Sequence, residues 1–305
     1  MQDFISLSGA VRSALHGGAP VVALESTVIA HGLPYPDNLE AAAAMEAAVL
    51  QAGAVPATIA VLDGRIRVGL SEEDRARLAD PDAVVAKLSR RDLAACLTLN
   101  GTGATTVSAT MICANVAGIR VFATGGIGGV HRGAEHSMDI SADLLELART
   151  PVLTVSSGAK SILDLPRTME VLETQGVPVL GYRTDRLPAF HCRDSGLPVD
   201  AALAGANAAA RVAKAHWALG LGGLLVCNPV PEDAAIPSDE VATWVDAALA
   251  AAEREGIAGK EVTPYLLRHI ANASGGRSLA ANKALLIDNA RVGGEIAVAL
   301  AEGAR

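Results

Sequence analysis

Lys160 stands in the run Pro151-Val-Leu-Thr-Val-Ser-Ser-Gly-Ala-Lys160-Ser-Ile-Leu-Asp-Leu-Pro166, where a β-branched apolar stretch breaks at small residues. The pattern predicts a buried strand, then a helix over 161–174 with Lys160 falling in its first turn. There the positive end of the helix dipole opposes an ammonium group. It favours the neutral amine, the form that attacks a carbonyl-type carbon and makes a Schiff base. Strand-to-helix turns of α/β folds also face the crevice in which ligands bind. A lone lysine so placed is more often a solvated surface residue. Its case rests on what stands elsewhere in the chain.

Glu25 closes the apolar run Val21-Val-Ala-Leu and is followed by Ser26-Thr27. A carboxylate there can serve as a general acid if burial raises its pKa, or simply cap a turn. Ser137-Met-Asp139-Ile-Ser141-Ala-Asp143 sets oxygens at alternate positions. If extended, it points Asp139, Ser141 and Asp143 to one side; if helical, it makes Asp139 and Asp143 neighbours that repel unless a cation or donors separate them. Oxygen ligands suit a hard divalent ion, although Ser141 or Asp139 could equally be a helix N-cap. Gly101-Thr-Gly-Ala-Thr-Thr-Val107-Ser108 is a small-residue turn opening a helix, whose amides could cradle phosphate. Lys87, within a basic cluster with Arg90 and Arg91, could reach the same anion or lie on a solvated helix face. Thr124 and His131 flank a second glycine-rich turn. Asn282 and Asn289, seven residues apart on one helix face, could read a polar ring edge or serve the core.

Several familiar motifs fail. Gly125-Gly-Ile-Gly-Gly129 follows a strand, but His131 occupies the place of the third glycine in a dinucleotide fingerprint. Gly158-Ala-Lys160-Ser161 lacks the glycine that precedes the lysine of a phosphate-binding loop. Neither a nucleophile elbow nor H-E-x-x-H occurs. Hydride transfer and nucleotide hydrolysis are weakened accordingly.

The elements that must position these groups follow from patterning. Half of the 305 residues are hydrophobic and only 3% aromatic, so Ala, Val, Leu and Ile build the core. Strands are expected at Val21–Glu25, 58–62, 65–68, 120–124, 177–182 and Leu224–Cys227, with Asp63-Gly64 turning a hairpin. Helices are expected over 38–51, 105–116, 161–174, 201–217 and most of the chain after Ser238. The alternation implies one domain, 1–305, of three α/β/α layers with a mixed, mostly parallel central sheet and a helical C-terminal third. Residues 183–200, with Pro188, Gly196 and Pro198, form a candidate active-site loop. A net charge of −8 argues against nucleic acid as main partner. Cys96, Cys113, Cys192 and Cys227 are scattered and read as reduced thiols of a cytoplasmic protein. Neither a signal peptide nor a membrane span is expected.

Taken in order, nine words of this chain resemble the pseudouridine-5′-phosphate glycosidase family, also called indigoidine synthase A-like. They are Ala23-Leu-Glu25-Ser-Thr, His31-Gly-Leu-Pro-Tyr-Pro36, Gly103-Ala-Thr-Thr-Val-Ser-Ala-Thr110, Phe122-Ala-Thr-Gly-Gly-Ile-Gly-Gly-Val-His-Arg-Gly-Ala-Glu135, Asp139-Ile-Ser-Ala-Asp143, Ser157-Gly-Ala-Lys160-Ser-Ile-Leu-Asp164, Gly176-Val-Pro-Val-Leu-Gly-Tyr182, Asn228-Pro-Val-Pro231 and Gly259-Lys-Glu-Val-Thr-Pro264. The resemblance spans 5–302. It implies reversible cleavage of pseudouridine 5′-phosphate by water to uracil and ribose 5-phosphate, with a divalent metal, usually Mn²⁺, and a homotrimer. By position it implies Lys160 as nucleophile, Glu25 as proton donor and Asp139 as metal ligand. Lys87, Val107, Ser141, Ala142 and Asp143 match substrate-binding positions, with Thr124, His131 and Asn282 as further contacts.

That chemistry makes sense of the residue types. Uracil is joined to ribose through carbon, so protonating a leaving heteroatom, as paired carboxylates do in ordinary glycoside hydrolysis, has no target. Covalent attachment of ribose to an amine offers another route. Leu187-Pro-Ala-Phe-His191-Cys192 departs from a more aromatic family segment, Met138 replaces a common aromatic or apolar residue, and Lys283 stands where an apolar residue is expected. These changes touch substrate detail more than reaction type. A sugar or nucleoside kinase acting on a ribosyl substrate is the alternative, but its aspartate base and anion hole cannot be assembled here. A class I aldolase would share the lysine but needs a barrel, and a binding protein that lost activity would keep the pocket.

Overall fold

A computed structural model describes residues 4–257 and 262–302. The Gly259–Pro264 word therefore lies partly outside the described residues. Seven neighbouring strands run parallel, in the order Val55–Leu62, Val21–Glu25, Val121–Ala123, Leu153–Ser156, Leu224–Cys227, Val179–Tyr182 and Ala201–Leu203. Val55–Leu62 turns back antiparallel through Asp63-Gly64 into Arg65–Val68, with Leu62 opposite Arg65. Both turn residues have positive φ, which a two-residue hairpin of this twist requires. Ile5–Leu7 completes that edge, and the short strands Ala86–Leu88 and Gly103–Thr105 attach through Val55–Leu62.

Alternation along the central strands builds two cores. Val21 and Ala23 face one helical layer while Val22 and Leu24 face the other. Such strands, buried on both faces, read as continuous apolar runs rather than alternating ones. The first layer contains Gly9–His16, Val107–Ala117, Ala142–Arg149 and Ser238–Arg254. The second contains Asp37–Gln51, Ala206–Ala218 and the 26-residue helix Arg277–Glu302. The result is the expected three-layer α/β/α arrangement with a mixed, mostly parallel sheet and a helical C-terminal third. An open sheet of this kind is no aldolase barrel.

Three expectations need correction. The helix after Lys160 starts at Leu165, capped by Asp164, because Leu163–Asp164 pairs as a short strand with Val130–His131. Lys160 thus lies in an irregular loop, outside the first turn of that helix. Residues 201–203 extend the edge of the sheet, and the alanine-rich helix begins only at Ala206. Edge pairing with Val179–Tyr182 overrides the helical preference of alanine there. Likewise Thr105 ends a strand, and its helix starts at Val107.

Candidate active site

The carboxyl ends of three adjacent parallel strands bring the reactive groups together. Glu25 ends the first, Thr124 follows the second, and Ser157 to Lys160 follow the third. A cleft of about 310 Å³ is lined by Glu25, Lys87, Val107, His131, Asp139, Ser141, Asp143 and Lys160. It opens beside a cavity of about 680 Å³ that contains Asn282 and His191 and shares His31, Gly32, Lys87 and Leu267 with it. Sequence separations of up to a hundred residues and more vanish here.

Lys160 is held by the second glycine-rich turn. Its Nζ donates to the Gly126 carbonyl at 2.9 Å, and its backbone N–H donates to the Ile127 carbonyl at 3.1 Å. Gly126 must be glycine: a Cβ there would lie 2.6 Å from the Phe190 ring. Gly158 has φ +79°, and a Cβ would meet the Pro188 carbonyl at 2.3 Å. So the candidate loop, residues 183–200, supports the lysine turn from behind. Phe190 N–H also donates to the Ser157 carbonyl at 2.9 Å, and His191 Nδ1 lies 3.3 Å from Ser161 Oγ. Burial lowers the His191 pKa to about 4, so its imidazole is neutral.

Glu25 is nearly inaccessible. Loss of hydration raises its pKa above the ordinary carboxylate range, outweighing the attraction of Lys160, the hydrogen bond from Thr124 and the attraction of Lys87; Asp143 adds a smaller upward push. A carboxyl so placed can hold a proton for delivery. Beneath it lies a knot of hydroxyls. Thr105 N–H donates to Ser26 Oγ at 2.9 Å, Thr27 Oγ1 to the Thr105 carbonyl at 2.6 Å, and Thr110 Oγ1 to Thr105 Oγ1 at 2.9 Å. This knot anchors the turn that precedes Val107 against the strand end of Glu25.

The 137–143 segment is neither fully extended nor one helix. Ser141 caps the helix Ala142–Arg149, accepting from Asp143 N–H at 3.2 Å. Asp143 turns inward to accept from the Ser108 and Gly128 amides at 3.0 and 2.8 Å. Asp139 faces the cleft instead, 4.0 Å from His131 Nδ1, with its side chain 42% exposed. Amide donors thus compensate the Asp143 carboxylate, while that of Asp139 is open to the cleft. Burial lowers the His131 pKa, helped by Lys160 and Lys87 and opposed by Asp139.

The turn before Val107 offers fewer free amides than expected. Thr105, Thr106 and Ser108 N–H groups are taken by Ser26, Leu88 and Asp143, leaving Val107 at the cleft wall. Ala142 is not among the residues lining the cleft, and Thr124 acts on it through Glu25. Arg91, Ser89, Thr27 and His31 also line it, without having been singled out as site residues. The basic cluster signalled Arg91, and the words around Glu25 and His31 contain Thr27 and His31; no sequence signal marks Ser89. Of the departures, Lys283 pairs with Asp37 and Glu40 at 2.8 and 2.9 Å, and Met138 is exposed in a left-handed conformation.

Fold and site together define an α/β enzyme that binds a small molecule at the carboxyl ends of a parallel sheet. A family model for indigoidine synthase A like protein matches residues 10–299. The pseudouridine-5′-phosphate glycosidase of Paracoccus denitrificans (strain Pd 1222) is 58% identical over 303 residues, covering 99% of this chain and 100% of that protein. That of Sorangium cellulosum (strain So ce56) is 54% identical over 302 residues, covering 99% and 95%. The crystal structure of the prealnumycin C-glycosynthase AlnA in complex with ribulose 5-phosphate superposes with a TM-score of 0.91 at 44% identity, over 99% of both chains. An indigoidine synthase A-like protein from Thermotoga maritima MSB8 gives 0.88 at 36%, covering 98% of this chain and 97% of that one. The chain belongs to the indigoidine synthase A-like family.

Proposed function

We propose that this protein cleaves pseudouridine 5′-phosphate reversibly with water, giving uracil and ribose 5-phosphate. One observation carries the reading. A lysine amine and a buried carboxyl of raised pKa share one cleft, in a chain more than half identical to enzymes of that name. The Lys160 amine attacks the anomeric carbon, and the ribose ring oxygen leaves as a hydroxyl, taking up the proton that the attacking nitrogen sheds. The nitrogen lone pair then forms a C=N bond as the carbon–carbon bond breaks, and its electrons pass to the uracil carbon. Glu25 supplies the proton to that carbon. Water adds to the iminium, and ribose 5-phosphate departs from the lysine.

Lys87, Val107, Ser141 and Asp143 line the cleft as substrate-binding residues, with His131 beside them and Thr124 setting Glu25. Asn282 belongs to the adjoining cavity, on whose side the base is expected. Ala142 contributes through the helix start it opens. Asp139 would hold a divalent ion, Mn²⁺, supplying charge neutralisation for the phosphate. Among the described residues no group of three or more His, Cys, Asp or Glu is arranged for a metal. A single half-exposed carboxylate fits a hard ion that keeps most of its water shell. A homotrimer in the cytoplasm completes the proposal; among the described residues no helix is long and apolar enough to cross a membrane.

Incubation with uracil, ribose 5-phosphate and Mn²⁺, without ATP, tests the reaction and separates it from a kinase. Pseudouridine 5′-phosphate must form. Borohydride reduction with substrate should leave a pentose phosphate on the peptide containing Lys160; an unmodified peptide ends the Schiff-base reading.

A further inference from the structure

Asn289 has no place in the scheme above, yet it touches both turns that hold the reacting groups. It is fully buried in the helix Arg277–Glu302. Its Nδ2 donates to the Thr124 carbonyl at 2.9 Å, to Ser157 Oγ at 3.1 Å and to the Gly125 carbonyl at 3.3 Å. Its Oδ1 accepts from Asn228 Nδ2 at 3.0 Å. Two facing carbonyls require an NH₂ group on that side, so the network itself sets the orientation of the amide. No smaller side chain offers donors to the carbonyls of one turn and to a hydroxyl of the next, together with an acceptor to a third strand end.

We propose that Asn289 is a positioning residue for catalysis. It clips the turn after Val121–Ala123 to the turn after Leu153–Ser156. The first turn carries Thr124, whose hydroxyl bonds Glu25, and Gly126, whose carbonyl takes Lys160 Nζ. The second carries Lys160 itself. The two are zipped by Ser157 N–H to the Gly125 carbonyl at 2.9 Å, Ile127 N–H to the Gly158 carbonyl at 3.0 Å and Lys160 N–H to the Ile127 carbonyl. Asn289 closes that zip at its buried end. A shift of either turn moves the acid and the nucleophile relative to one another, and rate is steeply sensitive to such displacement. The inference rests on Lys160 as nucleophile and Glu25 as acid.

The test pairs Asn289→Ala with Ile296→Ala, a fully buried control two turns along the same helix. Both are expected to lower Tm. Asn289→Ala should also lower kcat by about 10- to 100-fold, with KM within about threefold of wild type, while Ile296→Ala keeps kcat. Titration of the Glu25 carboxyl by difference infrared spectroscopy, assigned with Glu25→Gln, should shift in Asn289→Ala only. Unchanged kcat and titration in Asn289→Ala, or an equal loss of kcat in Ile296→Ala, overturns the proposal. Should Asn289→Ala fail to fold, Ser157→Ala removes the hydroxyl through which Asn289 holds the second turn, and the same readouts decide. A wild-type protein inactive on pseudouridine 5′-phosphate would end the reading of function; the infrared titration then judges the clip alone.

Discussion

Glu25 ends a strand whose five residues are all buried, and lost hydration lifts its carboxyl above the ordinary range against the pull of Lys160. Between the unfolded value near 4.5 and the raised folded value, the native chain holds more proton than the unfolded one. Stability therefore falls as pH rises through that window. Glu25→Gln should show a higher Tm than wild type at pH 8, and the gap should close below about pH 4.5; a gap independent of pH would count against burial as the cause. The same variant cannot donate the proton, so kcat should fall by about 10²- to 10⁴-fold. Lys160→Ala should lose roughly 10⁴-fold or more of turnover while circular dichroism stays native. Near-normal turnover in that variant would refute the nucleophile.

The helix Ala142–Arg149 delivers Ser141 and Asp143 to the cleft, and one buried acid fastens it. Glu146 is fully buried and accepts from Arg90 Nε and Nη2 at 2.6 and 2.9 Å, and from Thr150. Arg90→Ala strands that carboxylate. Because the arginine is half exposed and Thr150 remains, the cost should be about 2 kcal/mol, below that of a fully buried pair. Denaturant unfolding measures it. Arg90, part of the basic cluster upstream of the small-residue turn before Val107, is thus a structural cation. Other elements were legible beforehand: Asp63-Gly64 specified its hairpin, and the Val/Leu runs specified strands. The helix expected from 161 was not, because Leu163 and Asp164 pair with a strand thirty residues earlier.

For the whole molecule, the proposal predicts dependence on a divalent ion and on assembly. Chelation should remove most activity and Mn²⁺ should restore it, whereas Asp139→Ala should not be restored at the same concentration. Light scattering should give three times the chain mass; a monomer at working concentration would remove the trimer. The mixed sheet places every reactive group at one set of strand ends, which is why segments far apart in the chain converge on one cleft.

The order of apolar runs, the hairpin turn and the family words were properties of the chain itself, since they depend on local periodicity and residue type. Which carboxylate does what was not. Asp139 faces the cleft while Asp143 binds two amides, Thr124 sets Glu25 from 99 residues away, and Asn289 holds Thr124 from 165 residues away. Hydrogen bonds across such distances exist only once the strands are side by side, so tertiary structure alone could assign them.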